Sequence, residues 1–481
     1  MTARVVVAGT HSGVGKTTVA TGLMAAFTER GRGVAGFKVG PDFIDPSYHA
    51  VATGRPGRNL DAFLSGPGMI APLFAHGAAG ADLAIVEGVM GMFDGAADAG
   101  ELASTAQVAK LLRAPVLLVV DCSAMARSVA AVVHGFASFD SEVGVAGLIL
   151  NRVASDRHEE LLRQALDPLG VPVLGVLRRQ QALATPERHL GLVPAAERET
   201  AARHAVKALA TAITAACDLP AVAAIATAAP PLPATSWNPA TAPPLPATPW
   251  NPAAAHAPSG PATPGGRATG GRAPGPAAVG GPRIGVASGP AFTFLYQENL
   301  ELLEASGAEL VPVDPIADES LPERIAALYL GGGFPETHAE ALAANQPLRA
   351  AVRRFAAGGG PVVAECGGLL YLARTLDGHP MCGVLRADAH MTSRLSLGYR
   401  RAEATVCSPL AGPGVTVRGH EFHYSRIEPA AGPDPAWLLD GGRREGFVAG
   451  RVHASYLHTH WAAFPEIPAR LVAAARGEAF A

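Results

Sequence analysis

The sequence predicts an α/β protein built from two parallel-sheet domains, and three observations carry that expectation. Short, continuous apolar runs alternate with helical stretches in both the first and the last parts of the chain, the pattern of strands covered on both faces by crossover helices. A glycine-rich turn stands between the first apolar run and the first helical stretch. A long Ala/Pro/Gly-rich segment with almost no charge separates the two parts. At 481 residues and 49% hydrophobic content, the chain is long enough for two or three separately cored domains.

In the first part, residues 1–220, strands are expected at Arg4–Ala8, Val34–Lys38, Leu83–Glu87, Val116–Asp121, Val145–Asn151 and Val171–Leu177. The first helix should run from Lys16 to Arg30 and stop at Gly31, because glycine accepts the left-handed conformation that ends helices. Residues 221–282 read as an extended, disordered linker, since such composition cannot bury a core. Within it the run PPLPATSWNPA from Pro230 recurs thirteen residues later as PPLPATPWNPA from Pro243. From Arg283 to Ala481 a second α/β pattern begins. Strands are expected at Arg283–Ser288, Glu309–Val313, Ala326–Gly331 and Pro361–Glu365, a helix at Leu348–Ala357, and shorter strands at Val415–Arg418 and Glu445–Ala449.

Bulk properties narrow the function. A formal net charge of -3 gives no global field to attract nucleic acid or an anionic membrane. The 5 cysteines, Cys122, Cys217, Cys366, Cys382 and Cys407, form no Cys-x-x-Cys pair, so neither a disulfide framework nor a zinc ribbon is expected, and a reducing cytoplasm fits. The chain runs directly into the phosphate loop, so no signal peptide is expected. The Ala-rich stretch Ala205–Ala229 carries Lys207 and Asp218, so it does not read as a membrane span.

The turn after the first strand carries Gly13-Val14-Gly15-Lys16-Thr17-Thr18. Strand, glycine turn and helix start together form a phosphate cradle of backbone N–H groups. Lys16 would reach the β/γ-phosphates and the Thr17 hydroxyl would face Mg²⁺. Gly9 lies one residue further back than the strict spacing asks, so the loop is one residue longer than standard. Two acidic clusters follow. One is the run KVGPDFIDPSYH from Lys38, with Asp42, Asp45 and His49; the other is LAIVEGVMGMFDG from Leu83, with Glu87 and Asp94. Carboxylates at the carboxyl ends of parallel strands face the ligand crevice. Asp42 and Glu87 are therefore the expected Mg²⁺ ligands beside Thr17, with Asp45 and Asp94 left to position an acceptor or manage its proton. Asn151-Arg152, ending another strand, is expected at the nucleotide base or as a simple cap.

In the second part the run PVVAECGGLLYLARTL from Pro361 reads as a strand that breaks at Cys366 into a helix. Such an elbow presents a thiol at a helix N-terminus, which is expected to lower its pKa. The Gly367 N–H would face a developing oxyanion, completed by a free N–H of Gly332 or Gly333. His458 and His460, two apart in ASYLHTHW, should share one strand face. His458 is the expected base for the thiol and His460 its orienting partner. Zinc on this pair is disfavoured because no third ligand lies nearby.

These landmarks carry a resemblance. The runs GGGFPE from Gly331, AECGG from Ala364 and SYLHTHW from Ser455 resemble a class I, triad-type glutamine amidotransferase domain of the cobyric-acid-synthase kind. The chain departs from that pattern at His460, where the ordinary class I sequence has a glutamate. The first part resembles the dethiobiotin-synthetase-like branch of P-loop enzymes. With KVGPDFIDP, EGVMGMFDG, Gly398-Tyr399-Arg400 and GHEFHYS from Gly419, nearly the whole chain outside the linker is similar to the cobyrinate a,c-diamide synthase family. The resemblance implies ATP-dependent formation of an acyl phosphate on a corrinoid polycarboxylate, amidated by ammonia that Cys366 releases from glutamine. It implies ATP as co-substrate, Mg²⁺ as cofactor, and small-molecule partners without nucleic acid or membrane; a homodimer is compatible with it. Arg394, Arg400, Arg418 and Arg426, beside Tyr399, His420, Phe422, His423 and Tyr424, are expected to form the far wall of the corrinoid site. Competing readings are cobyric acid synthase, nickel-sirohydrochlorin a,c-diamide synthase and, from another class, a partitioning or septum-positioning nucleotide switch. The switch carries a signature lysine in the loop where this chain has His11.

Overall fold

The computed structural model describes residues 2–97, 99–179, 187–188, 191–192, 199–233, 237 and 280–478. In the first part β1 (Ala3–Gly9), β2 (Val34–Val39), β3 (Arg58–Leu60), β4 (Leu83–Glu87), β5 (Val116–Asp121), β6 (Val145–Val153) and β7 (Val173–Arg178) form one sheet in the order β3-β2-β4-β1-β5-β6-β7. Every pairing in it is parallel. Burial explains the continuous apolar runs: Val5, Val6, Val7 and Ala8 of β1 and Leu83, Ala84, Ile85 and Val86 of β4 are all sealed from solvent. The chain leaves β1 towards β2 on one side and later fills β5 to β7 on the other. The order therefore reverses at β1, and the crevice beyond its carboxyl end is the natural ligand position.

Helix α1 (Lys16–Glu29) begins at the glycine turn and ends one residue short of Arg30, with Gly31 in the left-handed region beyond. The three-residue edge strand β3 carries no apolar pattern and was not expected from the sequence. The expected linker start at 221 falls inside a helix, Leu219–Thr227, which buries Leu219, Val222 and Ala226. Asp218 caps it, accepting from the Ala221 N–H at 2.9 Å. Beyond it Arg113 donates to the Pro231 carbonyl at 3.1 Å, and Trp237, buried, meets His76 edge-on at 4.9 Å. An alanine-rich helix and an alanine-rich linker have the same composition; the cap and the apolar spacing are what separate them. The second tryptophan of the repeat, Trp250, lies outside the described residues, as do the others in 238–279.

The second part holds a six-stranded sheet: Glu309–Val313, Arg283–Ala287, Ile325–Leu330, Val362–Glu365, Val452–Ser455 and Phe447–Ala449, in that spatial order. The last strand alone runs antiparallel. The expected strand Val415–Arg418 proves to be the start of a longer one, Thr416–Glu428, paired with Asp388–Ala404 in an extended antiparallel hairpin. The expected strand Glu445–Ala449 is split at Gly446, whose φ is 75°.

The two parts meet along a continuous seam. Arg58 of β3 donates to Glu298 at 2.8 Å and also binds Glu301, which His76 reaches at 2.8 Å. Tyr399 donates to Asp61 at 2.7 Å and stacks on Phe63 at 4.3 Å. Phe43, just past the end of β2, packs against Phe294, Tyr296, His420 and His458.

Candidate active site at the seam

The glycine turn is held in shape from outside. Gly13 and Gly15 have φ of 77° and 102°, a region side chains disfavour. A side chain at Gly15 would also collide with the Asn151 amide, 2.3 Å from its Cβ position. Asn151 donates to the Val14 carbonyl at 2.8 Å and Arg152 to the Gly13 carbonyl at 3.0 Å. Asn151, expected at the nucleotide base or as a cap, donates its amide to brace the loop. Lys16, Thr17 and Thr18 form the first turn of α1. The Lys16 ammonium donates to the carbonyls of Met90, at 2.5 Å, and His11, at 3.1 Å. Burial, and then the neighbouring charge of Lys38, bring its pKa down to about 8.

The acidic clusters converge on this turn with one residue the sequence reading passed over. Lys38, the last but one residue of β2, is buried among carboxylates, 2.6 Å from Asp45 and 2.8 Å from Glu87. Glu87 is fully buried; it accepts from Thr17 at 2.5 Å and meets His49 at 2.7 Å. Burial works against the ionised Glu87, but Lys38 and His49 outweigh it and hold its carboxyl below the usual range. Burial disfavours charge on Lys38 as well, yet Asp45 and Glu87 keep its pKa above the ordinary value. Asp45 carries the remaining strain: burial, then repulsion from Asp42 and Glu87, push its carboxyl up. A lone lysine closing an all-apolar strand was the available signal, since a buried ammonium needs anionic partners.

The division between the aspartates differs from expectation. Asp42 accepts from the Ile44 and Asp45 N–H groups at 2.7 and 3.4 Å, capping α2 (Ile44–Thr53). Asp45 instead turns inward, 3.4 Å from the Thr17 hydroxyl. Asp94 is exposed and closes its own turn, accepting from the Gly91 N–H at 2.9 Å. The hydroxyl of Thr17, where the Asp45 and Glu87 carboxylates converge, supplies the hard oxygen donors that suit Mg²⁺. By donor chemistry the residues present fit that ion.

The elbow forms as expected. Cys366 follows the strand Val362–Glu365 with φ 47° and ψ −98°, and the helix Gly367–Leu372 starts after it. The expected lowering of the thiol pKa does not occur. Burial, then the charge of Glu336, push it up, against the Gly367 N–H that favours the thiolate. The helix has a mere six residues, and desolvation outweighs its N-terminus. Packing also decides between the two oxyanion candidates. The Gly332 N–H is already donated to Phe294 at 3.0 Å, whereas the Gly333 nitrogen lies 2.9 Å from the Cβ position of Gly367. The Gly333 and Gly367 amides are thus neighbours beside the thiol.

His458 is buried in the short strand His458–Thr459, paired with Gly419-His420 of the hairpin. Its ring faces Gly332, where a Cβ would sit 2.4 Å from its Cε1. Since Gly332 and Gly333 also face Gly367, the imidazole, the glycine turn and the thiol elbow are contiguous. Burial, and then the charges of His420 and His423, hold His458 well below the ordinary histidine pKa, so its imidazole stands neutral. The backbone stays extended through His460, and Trp461 Nε1 donates to the Thr459 hydroxyl at 2.9 Å, so the alternation that sets His458 and His460 on one side continues past the strand. The His460 ring meets Tyr296 at 4.6 Å and approaches Glu298 to 3.5 Å. Two further carboxylates escaped the sequence reading. Glu365 accepts from Thr459 at 2.7 Å, and burial raises its pKa to about 7. Glu298, buried in the helix Gln297–Ala305, joins Arg58 of the first part to His460.

The arginines expected along the corrinoid wall divide. Arg400 is paired with Glu421 at 2.6 Å, Arg426 with Glu428 at 2.8 Å, and Arg418 lies 5.8 Å over the Phe464 ring. Arg394 stands exposed on a bulged stretch of the hairpin with Leu395 and Leu397.

Comparison with known proteins agrees with this arrangement. Residues 5–193 match the model of the CobQ/CobB/MinD/ParA nucleotide binding domain, and residues 283–466 that of the CobB/CobQ-like glutamine amidotransferase domain. Over 98% of its length the chain is 56% identical to the hydrogenobyrinate a,c-diamide synthase of Streptomyces coelicolor, covering 96% of that protein. It is 49% identical to that of Mycobacterium bovis over 98% of this chain and 97% of the relative. To the cobyrinate a,c-diamide synthase of a Synechococcus it is 41% identical over 96% and 95%. With a phosphate turn in one half, a thiol elbow in the other and relatives of this kind along its whole length, the chain belongs to the hydrogenobyrinate and cobyrinate a,c-diamide synthase family.

Proposed function

We propose that the protein amidates the a- and c-acetate carboxylates of hydrogenobyrinate, using ATP and glutamine, in cobalamin biosynthesis. The observation that carries the reading is the position of Phe43. It lies between Asp42 and Asp45 of the nucleotide crevice and packs 5.1 Å from the His458 ring, so the carboxyl-activating and nitrogen-releasing ends of the molecule face each other. The metal-free ring is preferred because the relatives named for it are 49–56% identical, against 40–42% for those named for cobyrinate.

In the first half, a substrate carboxylate oxygen attacks the γ-phosphorus of ATP; ADP leaves and an acyl phosphate forms. Lys16 holds the phosphoryl oxygens as charge shifts between them, and Lys38 keeps Glu87 ionised beside Thr17 and pairs with Asp45. Mg²⁺ held by Thr17, Glu87 and Asp45, with Asp42 at the rim, would neutralise phosphate charge. In the second half, the Cys366 sulfur attacks the side-chain amide carbon of glutamine while His458 takes the thiol proton. The oxyanion is received by the Gly333 and Gly367 N–H groups. His458 then gives the proton to the leaving nitrogen, ammonia departs, and a thioester remains. Water deprotonated by His458 cleaves the thioester to glutamate and restores the thiol. Ammonia attacks the acyl phosphate carbon, expelling inorganic phosphate and leaving the amide. Arg394 and the exposed Leu395 and Leu397 offer charge and apolar surface to the macrocycle. The setting is the cytoplasm, with the chain acting alone or as a homodimer.

The test is mass spectrometry of products from hydrogenobyrinate and cobyrinate offered side by side, with wild type and Cys366→Ala. Two added amides on hydrogenobyrinate are expected, with glutamine use lost in Cys366→Ala and amidation by added ammonia kept. Loss of both nitrogen sources in that variant would refute the two-site scheme.

A further inference from the structure

In the amidotransferase half, the base that serves the thiol is held by packing. His458 Nδ1 is buried without a hydrogen-bond partner among the described residues, so its orientation comes from the side chains packed on it. One edge of the ring lies on Gly332. Of the side chains around it, His420, tilted at 4.9 Å, comes from the same half, and Phe43, tilted at 5.1 Å, from the other.

Phe43 is well placed to act as a fixed wall. The segment carrying it is pinned to the nucleotide-binding half on both sides. Asn59 donates to the Gly40 and Asp42 carbonyls at 2.8 and 2.7 Å, and the Asp42 carboxylate caps the residues that follow. His420 adds a contact at 3.2 Å to the Pro41 carbonyl. The Phe43 ring enters a box of Phe294, Tyr296, His420 and His458, with centroids 4.7–5.6 Å away.

We propose that Phe43 is a positioning residue for His458, so that the base for glutamine cleavage is assembled across the seam rather than within the amidotransferase half. The inference rests on the reading of His458 as the base for Cys366. Without the ring, one side of the imidazole opens and its aim at the thiol is lost. Glutamine binding, which needs no proton transfer, is left intact.

The experiment measures glutamine-driven and ammonia-driven amidation by full-length Phe43→Ala and Phe43→Leu. Phe43→Ala should lose roughly 10–100-fold in the glutamine-driven kcat, the scale of an ångström-level misplacement. The KM for glutamine and the ammonia-driven rate should hold, and Phe43→Leu, which refills much of the volume, should recover part of the loss. Unchanged glutamine-driven kcat in Phe43→Ala would overturn the proposal, as would an equal loss with both nitrogen sources in both variants. Cys366→Ala, run in parallel, separates this from the underlying reading: glutamine cleavage that survives there means the base assignment itself is wrong.

Discussion

Gly332→Ala is the sharpest single perturbation the site offers. The backbone at 332 cannot yield, because its N–H and carbonyl are both paired with Phe294 at 3.0 Å. The added methyl would sit 2.4 Å from His458 Cε1 and 3.2 Å from the Phe294 Cβ. Ordinary contact begins near 3.4 Å, so the imidazole must retreat by about 1 Å, in an interior packed as densely as a crystal. Overpacking of this kind costs about 1–3 kcal/mol. For a half of this size that corresponds to a fall in Tm of roughly 2–10 °C, which leaves the enzyme folded at assay temperature. A displacement of about 1 Å in a proton-transfer group costs on the order of 10²-fold in rate. Glutamate release from glutamine, followed as kcat, should therefore drop by that factor, while amidation with added ammonia stays within about threefold, because the atoms nearest the added methyl, from His458 and Phe294, belong to the amidotransferase half. If glutamate release in Gly332→Ala matches wild type at saturating glutamine, His458 is not the group that serves the thiol.

Three further outcomes are expected. His458→Ala should lose about 10²–10⁴-fold in glutamate release, the usual scale for a general base, and His460→Ala much less; kinetics of the two purified variants at saturating glutamine decide the order. Glu298 is held at a pKa of about 2: burial opposes its charge, but His460 and Arg58 outweigh that. A carboxyl depressed from about 4.3 to that value contributes about 3 kcal/mol. That stability is present above pH 4.3 and is lost as pH falls through 2, so urea unfolding at pH 7 and pH 3 should show a pH dependence that Glu298→Gln flattens. Asn151→Ala removes the 2.8 Å bond that braces Val14, worth about 1 kcal/mol. It should raise the KM for ATP roughly fivefold and leave glutamate release untouched; a changed glutaminase rate would contradict the bracing role.

The central strands of the first sheet were legible because burial on both faces leaves an unbroken apolar signature, as in Leu83–Val86. The thiol elbow was legible because Cys-Gly-Gly after an apolar strand has few other uses. Strand β3 was not, since Arg-Asn-Leu has no period and Arg58 is placed by its bond to Glu298 in the distant half. The long hairpin was hidden for a related reason: its outer stretch, residues 391–398, is exposed or half-buried throughout, so polar residues there carry no alternation to read. Lys38, Glu298 and Glu365 share one cause of omission. A buried charge declares itself through its partner, and these partners lie in other elements. The His-x-His spacing was legible because the backbone stays extended through His460, which leaves Thr459 and Trp461 to meet each other.

The protonated, enclosed state of Cys366 bears on how the enzyme fares under stress. Sulfur is oxidised or alkylated as the exposed thiolate; at rest this one is neither exposed nor ionised. Peroxide and small electrophiles should spare it. A glutamine-shaped inhibitor with a reactive carbon, delivered beside the histidine, should label it quickly.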